Sequence, residues 1–316
     1  MPENVIVQQI SLTINVILYN LAFLGNALVL CTFVKYPSLR KKECLRLIAG
    51  LALCDMGSGF FAIVYMAGGL LIDSFTKLQC IVLGAPVIFY SVATQIMTLS
   101  IAKDRFDAFW DQLGYRLKKH KRYAQISLVL SSSIGLAFSG SGFLWVDHQT
   151  VIPFCSVGQS LSPHFLAMLT LFFLSVGISI LLLYLISLIL LRRATNSYQS
   201  SRSAIKNRAL ERQFKVTKTT SAILSCYGLL WVAPLVVYMA LHLSGVSGRI
   251  IQLFEPITVT GTALNCSLNI VIYAAKYESV RHHLLAFLRG KNINEVKPDL
   301  VAVKRPQPER KPESKL

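Results

Sequence analysis

An all-α integral membrane bundle, seven transmembrane helices followed by an amphipathic eighth, is the fold class the sequence predicts, and three observations predict it. The 316 residues are 53% hydrophobic and only 15% charged, against roughly 25% charged in an ordinary soluble domain. Mean hydropathy is +0.54. The 32 Lys+Arg against 15 Asp+Glu, a net +17, fall in short islands between long uncharged stretches, whereas a soluble nucleic-acid binder spreads its charge over its surface. Together these exclude a soluble enzyme and a nucleic-acid partner.

A helix needs about 20 apolar residues to cross a hydrocarbon layer of roughly 30 Å. No Asp, Glu, Lys or Arg lies between Glu3 and Lys35, Lys77 and Lys103, Arg122 and Asp147, Asp147 and Arg192, or Lys218 and Arg249. Two further stretches hold one acid each, Asp55 between Arg46 and Asp73 and Glu255 between Arg249 and Lys276. The expected spans are 10–34, 47–71, 78–102, 123–146, 165–191, 219–243 and 252–275. After the last, Tyr277, Val280, Leu284, Leu285 and Leu288 share one face while Glu278, Arg281 and His282 face away, the pattern of a helix lying on a membrane. The expected organisation is an extracellular N-terminus over 1–9, a membrane domain with its surface helix over 10–288, and a disordered Lys/Pro/Glu-rich cytoplasmic tail over 289–316. No basic n-region precedes the first apolar run, which is too long for a signal-peptide core, so no cleavage is expected.

Cytoplasmic loops carry the excess of Lys and Arg. With the N-terminus outside, all of the 32 except Lys77 and Arg249 fall on inner segments: Lys35 to Arg46, Lys103 to Arg122, Arg192 to Lys218, and from Lys276 onward. The net charge is then an address to a bilayer with an anionic inner leaflet, and the expected location is the plasma membrane. Of the seven cysteines, Cys31, Cys54, Cys226 and Cys266 lie inside spans and Cys44 at a cytoplasmic boundary. Only Cys80 and Cys155 face outside, so an oxidised pair tying the second outer loop over the bundle mouth is the economical reading, with two free thiols the alternative.

Polar residues within spans are costly and suggest function. Asn26, Asp55 and Asn269 lie mid-span in the first, second and seventh spans, with Thr94 and Asn265 at compatible depths. The functional reading is a hydrated switch cluster that would suit Na⁺ at Asp55; the plain alternative is a protonated Asp55 that glues helices. Asp104-Arg105-Phe106 lies 25 residues beyond Cys80, roughly 37 Å along a helix, which puts the cysteine outside and the arginine at the inner rim. His148, His164 and His242 have no metal-ligand spacing, and Asn265-Cys266-Ser267, a glycosylation sequon, lies within the membrane. The final Ser314-Lys315-Leu316 matches a peroxisomal address that chiefly serves soluble cargo, and reads as coincidence.

In this order, Gly25-Asn26, Leu51-Ala52 with Asp55, Cys80, Asp104-Arg105-Phe106, Cys155, Pro234, and Asn269 with Tyr273 resemble the rhodopsin-like G protein-coupled receptors. The run from Lys42 through Arg46 into Leu51-Ala52-Leu53-Cys54-Asp55 is similar to the nematode serpentine chemoreceptors of Srsx type. The resemblance implies an extracellular ligand, a heterotrimeric G protein, and a coupling switch at Asp104, Arg105, Phe106, Pro234, Asn269 and Tyr273. It implies a pocket among the outer halves of spans three, five, six and seven, at Val87, Tyr90, Ser91, Met168, Phe172, Leu235, Tyr238, Met239 and Glu255. Without an Asp in the third span or a Lys in the seventh, an amine receptor and an opsin are disfavoured; a small, mainly apolar ligand is expected, with a peptide as the alternative. A membrane transporter or channel is the rival function.

The sequence also departs from the family. Trp231 stands three residues before Pro234 rather than two, about 100° around a helix, so its role as a toggle under the ligand is left to its placement in the fold. Ile270 replaces the proline after Asn269, the fifth span has no mid-helix proline, and the fourth has Trp145 at its outer end instead of mid-helix. Phe214 stands where an acidic partner for Arg105 is usual, with Glu211 one turn earlier.

Overall fold

The computed structural model describes residues 3–72, 74–144, 146, 149–152, 155, 160–199, 226–244 and 248–290. The chain runs α1 (Glu3–Lys35), α2 (Pro37–Arg40), α3 (Glu43–Leu71), β1 (Phe75–Thr76), α4 (Lys77–Trp110), α5 (Gln112–Leu117), α6 (His120–Ser141), β2 (Val151–Ile152), α7 (Pro163–Gln199), a π-helical segment (Gly228–Val232), α8 (Ala233–Leu243), α9 (Gly248–Lys276) and α10 (Glu278–Leu288). Among the described residues six helices are long and apolar enough to cross a membrane, and 228–241 forms a shorter apolar one. Large apolar side chains point outward along them, Val34, Leu71, Val129, Leu136 and Leu229 among them. That surface suits hydrocarbon rather than water.

Several boundaries differ from the sequence expectation. The first helix begins at Glu3, and α4 continues to Trp110, a length of about 51 Å that overruns the bilayer core. The fourth span ends at Ser141, not 146, where Gly140 and Gly142 offer little helix propensity. A capping box of Thr76 and Gln79 starts α4, and Ser162 Oγ accepts from the Phe165 N–H at the start of α7.

Going round the bundle, α1 packs on α3, α3 on α4, α4 on α7, α7 on the π segment, α8 on α9, and α9 back on α1, while α6 lies outside against α4 and α3. Close approach of α1 and α3 depends on Gly59, where a Cβ would stand 2.9 Å from the Tyr19 carbonyl oxygen. At one end β1 pairs antiparallel with β2, Phe75 opposite Ile152, and Cys80 is bonded to Cys155 with Cα atoms 5.4 Å apart. At the other end α5 folds under α4. In α10 Val280, His283, Leu284 and Ala286 are buried, whereas Leu285 and Leu288 are exposed. His283 is on the inward face because its Nε2 meets Ser38 Oγ at 2.9 Å.

Within the π segment the Ala233 N–H bonds the Gly228 carbonyl, a reach of five residues instead of four. Pro234 has no N–H to donate to the Leu230 carbonyl four residues back. That carbonyl turns toward α9 at Gly261, where an added Cβ would come within 2.1 Å of it. The wider turn takes up one extra residue, and Trp231 is brought into the bundle, buried and edge-on to Phe173 at 5.5 Å.

Candidate functional site

Beneath the disulfide end lies a cavity of about 260 Å³. It is lined by Tyr19, Ala62, Tyr65, Met66, Val87, Ile88, Ser91, Leu166, Leu169, Thr170, Phe173, Trp231, Leu235, Tyr238, Thr258, Val259 and Thr262. No described lining residue is charged; hydroxyls dot an otherwise apolar wall. The indole Nε1 of Trp231 is buried without a partner among the described residues, a donor whose unmet bond is costly.

Of the residues the family resemblance pointed to, Val87, Ser91, Leu235 and Tyr238 line this cavity. Four do not. Tyr90 turns toward α3, stacked on Phe61 at 5.5 Å over Gly57. Met168 faces outward, and Phe172 packs on Phe138 at 4.4 Å; on α7 the lining phase is Leu166, Leu169, Thr170 and Phe173, one residue away. Met239 is off the lining on α8. The side chains of Glu255 and His242 lie outside the described residues, as do Trp145, His148, Glu211, Phe214 and the segment beyond Gly290. Tyr19, Tyr65, Thr170, Thr258 and Thr262 were not anticipated, although hydroxyls within spans are the signal that could have found them.

Mid-bundle, fully buried Asp55 accepts from Thr94 Oγ1 at 3.1 Å and from Asn269 Nδ2 at 2.6 Å. Asn26 Nδ2 donates to the Ala22 carbonyl at 2.8 Å and the Cys266 carbonyl at 3.4 Å, while its Oδ1 is buried without a partner among the described residues. Asn265 instead lines a second, smaller cavity of about 50 Å³ with Thr98, Arg105, Tyr184, Tyr227, Asn269, Tyr273 and Tyr277. Hard cations take oxygen ligands; the oxygens this region holds are the Asp55 carboxylate, Thr94 Oγ1 and Asn26 Oδ1. Among the described residues no three His, Cys, Asp or Glu side chains gather as a metal site.

At the far end Asp104 is 1% exposed, yet four groups reach it. Arg105 Nη2 lies at 3.6 Å, Lys118 Nζ at 3.5 Å and His120 Nδ1 at 3.8 Å, and the Tyr115 hydroxyl donates at 3.1 Å. Lys118 also pairs with Asp107 at 3.0 Å. Phe106 stacks on Trp110 at 5.5 Å. Arg105 is its neighbour in sequence; α5 and the start of α6 supply the others.

The π segment joins the two cavities. Trp231 lines the larger and Tyr227, four residues earlier, lines the smaller, where its hydroxyl donates to buried Gln95 on α4. Residues 19–287 match the family model described as serpentine type 7TM GPCR chemoreceptor Srsx. No curated protein matches the chain.

Proposed function

The chain belongs to the serpentine 7TM GPCR chemoreceptor family, Srsx type, a multi-pass membrane receptor and not an enzyme, and from that premise we propose that it binds a small, uncharged, mainly apolar extracellular molecule and activates a heterotrimeric G protein. The observation that carries this is the π segment, since Trp231 lines the larger cavity and Tyr227 lines the smaller one, whose wall Arg105 shares. A cavity of about 260 Å³ is at the small end of ligand sites, which favours a small molecule over a peptide. Its ligand would carry a hydrogen-bond acceptor for the indole of Trp231. The excess of Lys and Arg at the Arg105 end supports a cytoplasmic placement of that end at the plasma membrane.

Pressure on Trp231 turns residues 228–232, strains the Tyr227–Gln95 bond and reshapes the small cavity around Arg105. Arg105 can then leave Asp104 for an incoming partner at low cost, because Lys118 still neutralises the buried carboxylate and the Tyr115 hydroxyl still donates to it. Na⁺ held by Asp55, Thr94 and Asn26 would supply the counter-charge that a buried carboxylate needs.

The test is a screen of small neutral compounds on intact cells with a second-messenger readout, with epitope tags at both ends. Arg105→Ala is expected to keep surface expression and ligand binding and to abolish G-protein activation. Normal activation by a well-expressed Arg105→Ala protein counts against the mechanism. Ligand-dependent current without any G protein favours the channel reading.

A further inference from the structure

A groove of about 610 Å³ opens sideways between α1, α3 and α6 at the Arg105 end of the bundle. Its walls repeat one pattern on two helices. Arg46, Ala49, Gly50 and Leu53 on α3, and Lys121, Ala124, Gln125 and Leu128 on α6, line it, each at positions i, i+3, i+4 and i+7 of one helix face. Both rows begin with a cation at the same end, pass through small residues that hollow the wall, Ala49 and Gly50 on α3 and Ala124 on α6, and finish in leucine. Arg40 adds a third cation from α2, and the Arg46 Nε–H bonds its carbonyl at 3.1 Å, fixing the turn that carries it. No acidic residue lines the groove among the described residues. Gln125 is exposed one turn deeper than Lys121 and makes no hydrogen bond among the described residues, although a polar group at membrane depth needs one. Val34 beside it is 72% exposed, so the opening faces hydrocarbon.

We propose that this groove is a binding site for an anionic phospholipid whose headgroup bears a phosphomonoester, the phosphate on Arg40, Arg46 and Lys121, an ester group on Gln125, and an acyl chain in the furrow of Ala49, Gly50 and Ala124. Three cations exceed the single charge of a phosphodiester, and guanidinium matches phosphate oxygens in pairs. A soluble or protein anion would not need the apolar furrow. The proposal rests on the orientation argued above only for which leaflet supplies the lipid; binding in micelles is independent of orientation, so the two can fail separately.

The full chain in detergent micelles is titrated with a short-chain phosphoinositide bearing two phosphomonoesters, with phosphatidylcholine, and with the soluble inositol phosphate headgroup, retained lipid being counted by native mass spectrometry. The parent is expected to retain the phosphoinositide, with neither of the others competing. Removing two cations in Arg40→Gln/Lys121→Gln is expected to weaken retention about 30-fold at roughly 1 kcal/mol per basic residue. Lys41→Gln/Lys119→Gln, which removes the same charge outside the groove, is expected to leave retention unchanged. Ala49→Phe keeps every cation and fills the furrow; it too is expected to lower retention, with an unchanged melting profile certifying the fold. Equal losses in the two double variants, competition by the headgroup alone, equal retention of phosphatidylcholine, or full retention by Ala49→Phe would each overturn the proposal.

Discussion

Opposite chemistry builds the two ends of the bundle. Under Cys80–Cys155 the walls are neutral, a short strand pair and a covalent bond close the mouth, and what enters is selected by shape and by a few hydroxyls. Around Asp104 the contacts are ionic, and one carboxylate is shared among Arg105, Lys118, His120 and Tyr115. A covalent tie holds one geometry, whereas shared charge can exchange partners at little cost. Selection therefore suits the first end and switching the second, and the π segment is the joint between them.

The largest effect is expected at the covalent end. Cys80→Ser and Cys155→Ser should each lower stability by about 2–4 kcal/mol, and the double variant by no more than either, because both break one bond. Thermal unfolding of the purified chain checks this; additive losses would remove the contrast between the ends. At the joint, Gly261→Ala drives a methyl against the Leu230 backbone oxygen and should cost about 1–3 kcal/mol, while Gly69→Ala, which meets nothing within 4 Å, should be neutral or slightly stabilising. If Gly261→Ala keeps full stability and normal signalling, the π segment does not hold the two cavities in register.

At the ionic end Tyr115→Phe removes one hydrogen bond, about 1 kcal/mol. It should lower basal second-messenger output, because Asp104 then depends more on Arg105, whereas Asp104→Asn should raise it by freeing Arg105 outright. Unchanged basal output in both would mean that the carboxylate does not restrain the arginine. The smallest change in stability is expected for Asp55→Asn, which keeps size, can accept from Asn269 with its amide oxygen and donate to Thr94 Oγ1 with its amide nitrogen, and removes the charge. Folding should persist, and the dependence of signalling on Na⁺ should disappear; a variant identical to the parent in every signalling assay favours helix glue.

Much of the fold was legible because hydropathy and charge are properties of the chain in one dimension. The uncharged runs gave the spans, and only Cys80 and Cys155 stood where a disulfide could form. Asp55, Thr94 and Asn269 were legible for a related reason, since polar groups at matching depths in hydrocarbon have few partners but one another. Helix ends need not coincide with the apolar spans: α1 and α4 extend past theirs to Glu3 and Trp110, and α6 stops at Ser141 between glycines.

Which side of each helix faces inward was a different matter. The sequence by itself determined seven apolar spans, their order, and the depth of each polar residue, because length and composition set what a bilayer accepts. Only the tertiary structure decided that Phe173 and Thr170 line the cavity rather than Met168 and Phe172, since one residue is about 100° of rotation and neighbouring helices set the phase. It also decided the place of Trp231: Pro234 withholds a bond, the turn widens, and Gly261 on another helix makes room for the displaced carbonyl. Lys118, Tyr115 and His120 come to Asp104 only once α5 folds beneath α4. In each case the deciding partner is remote in sequence or set by rotation, and neither is encoded in local composition.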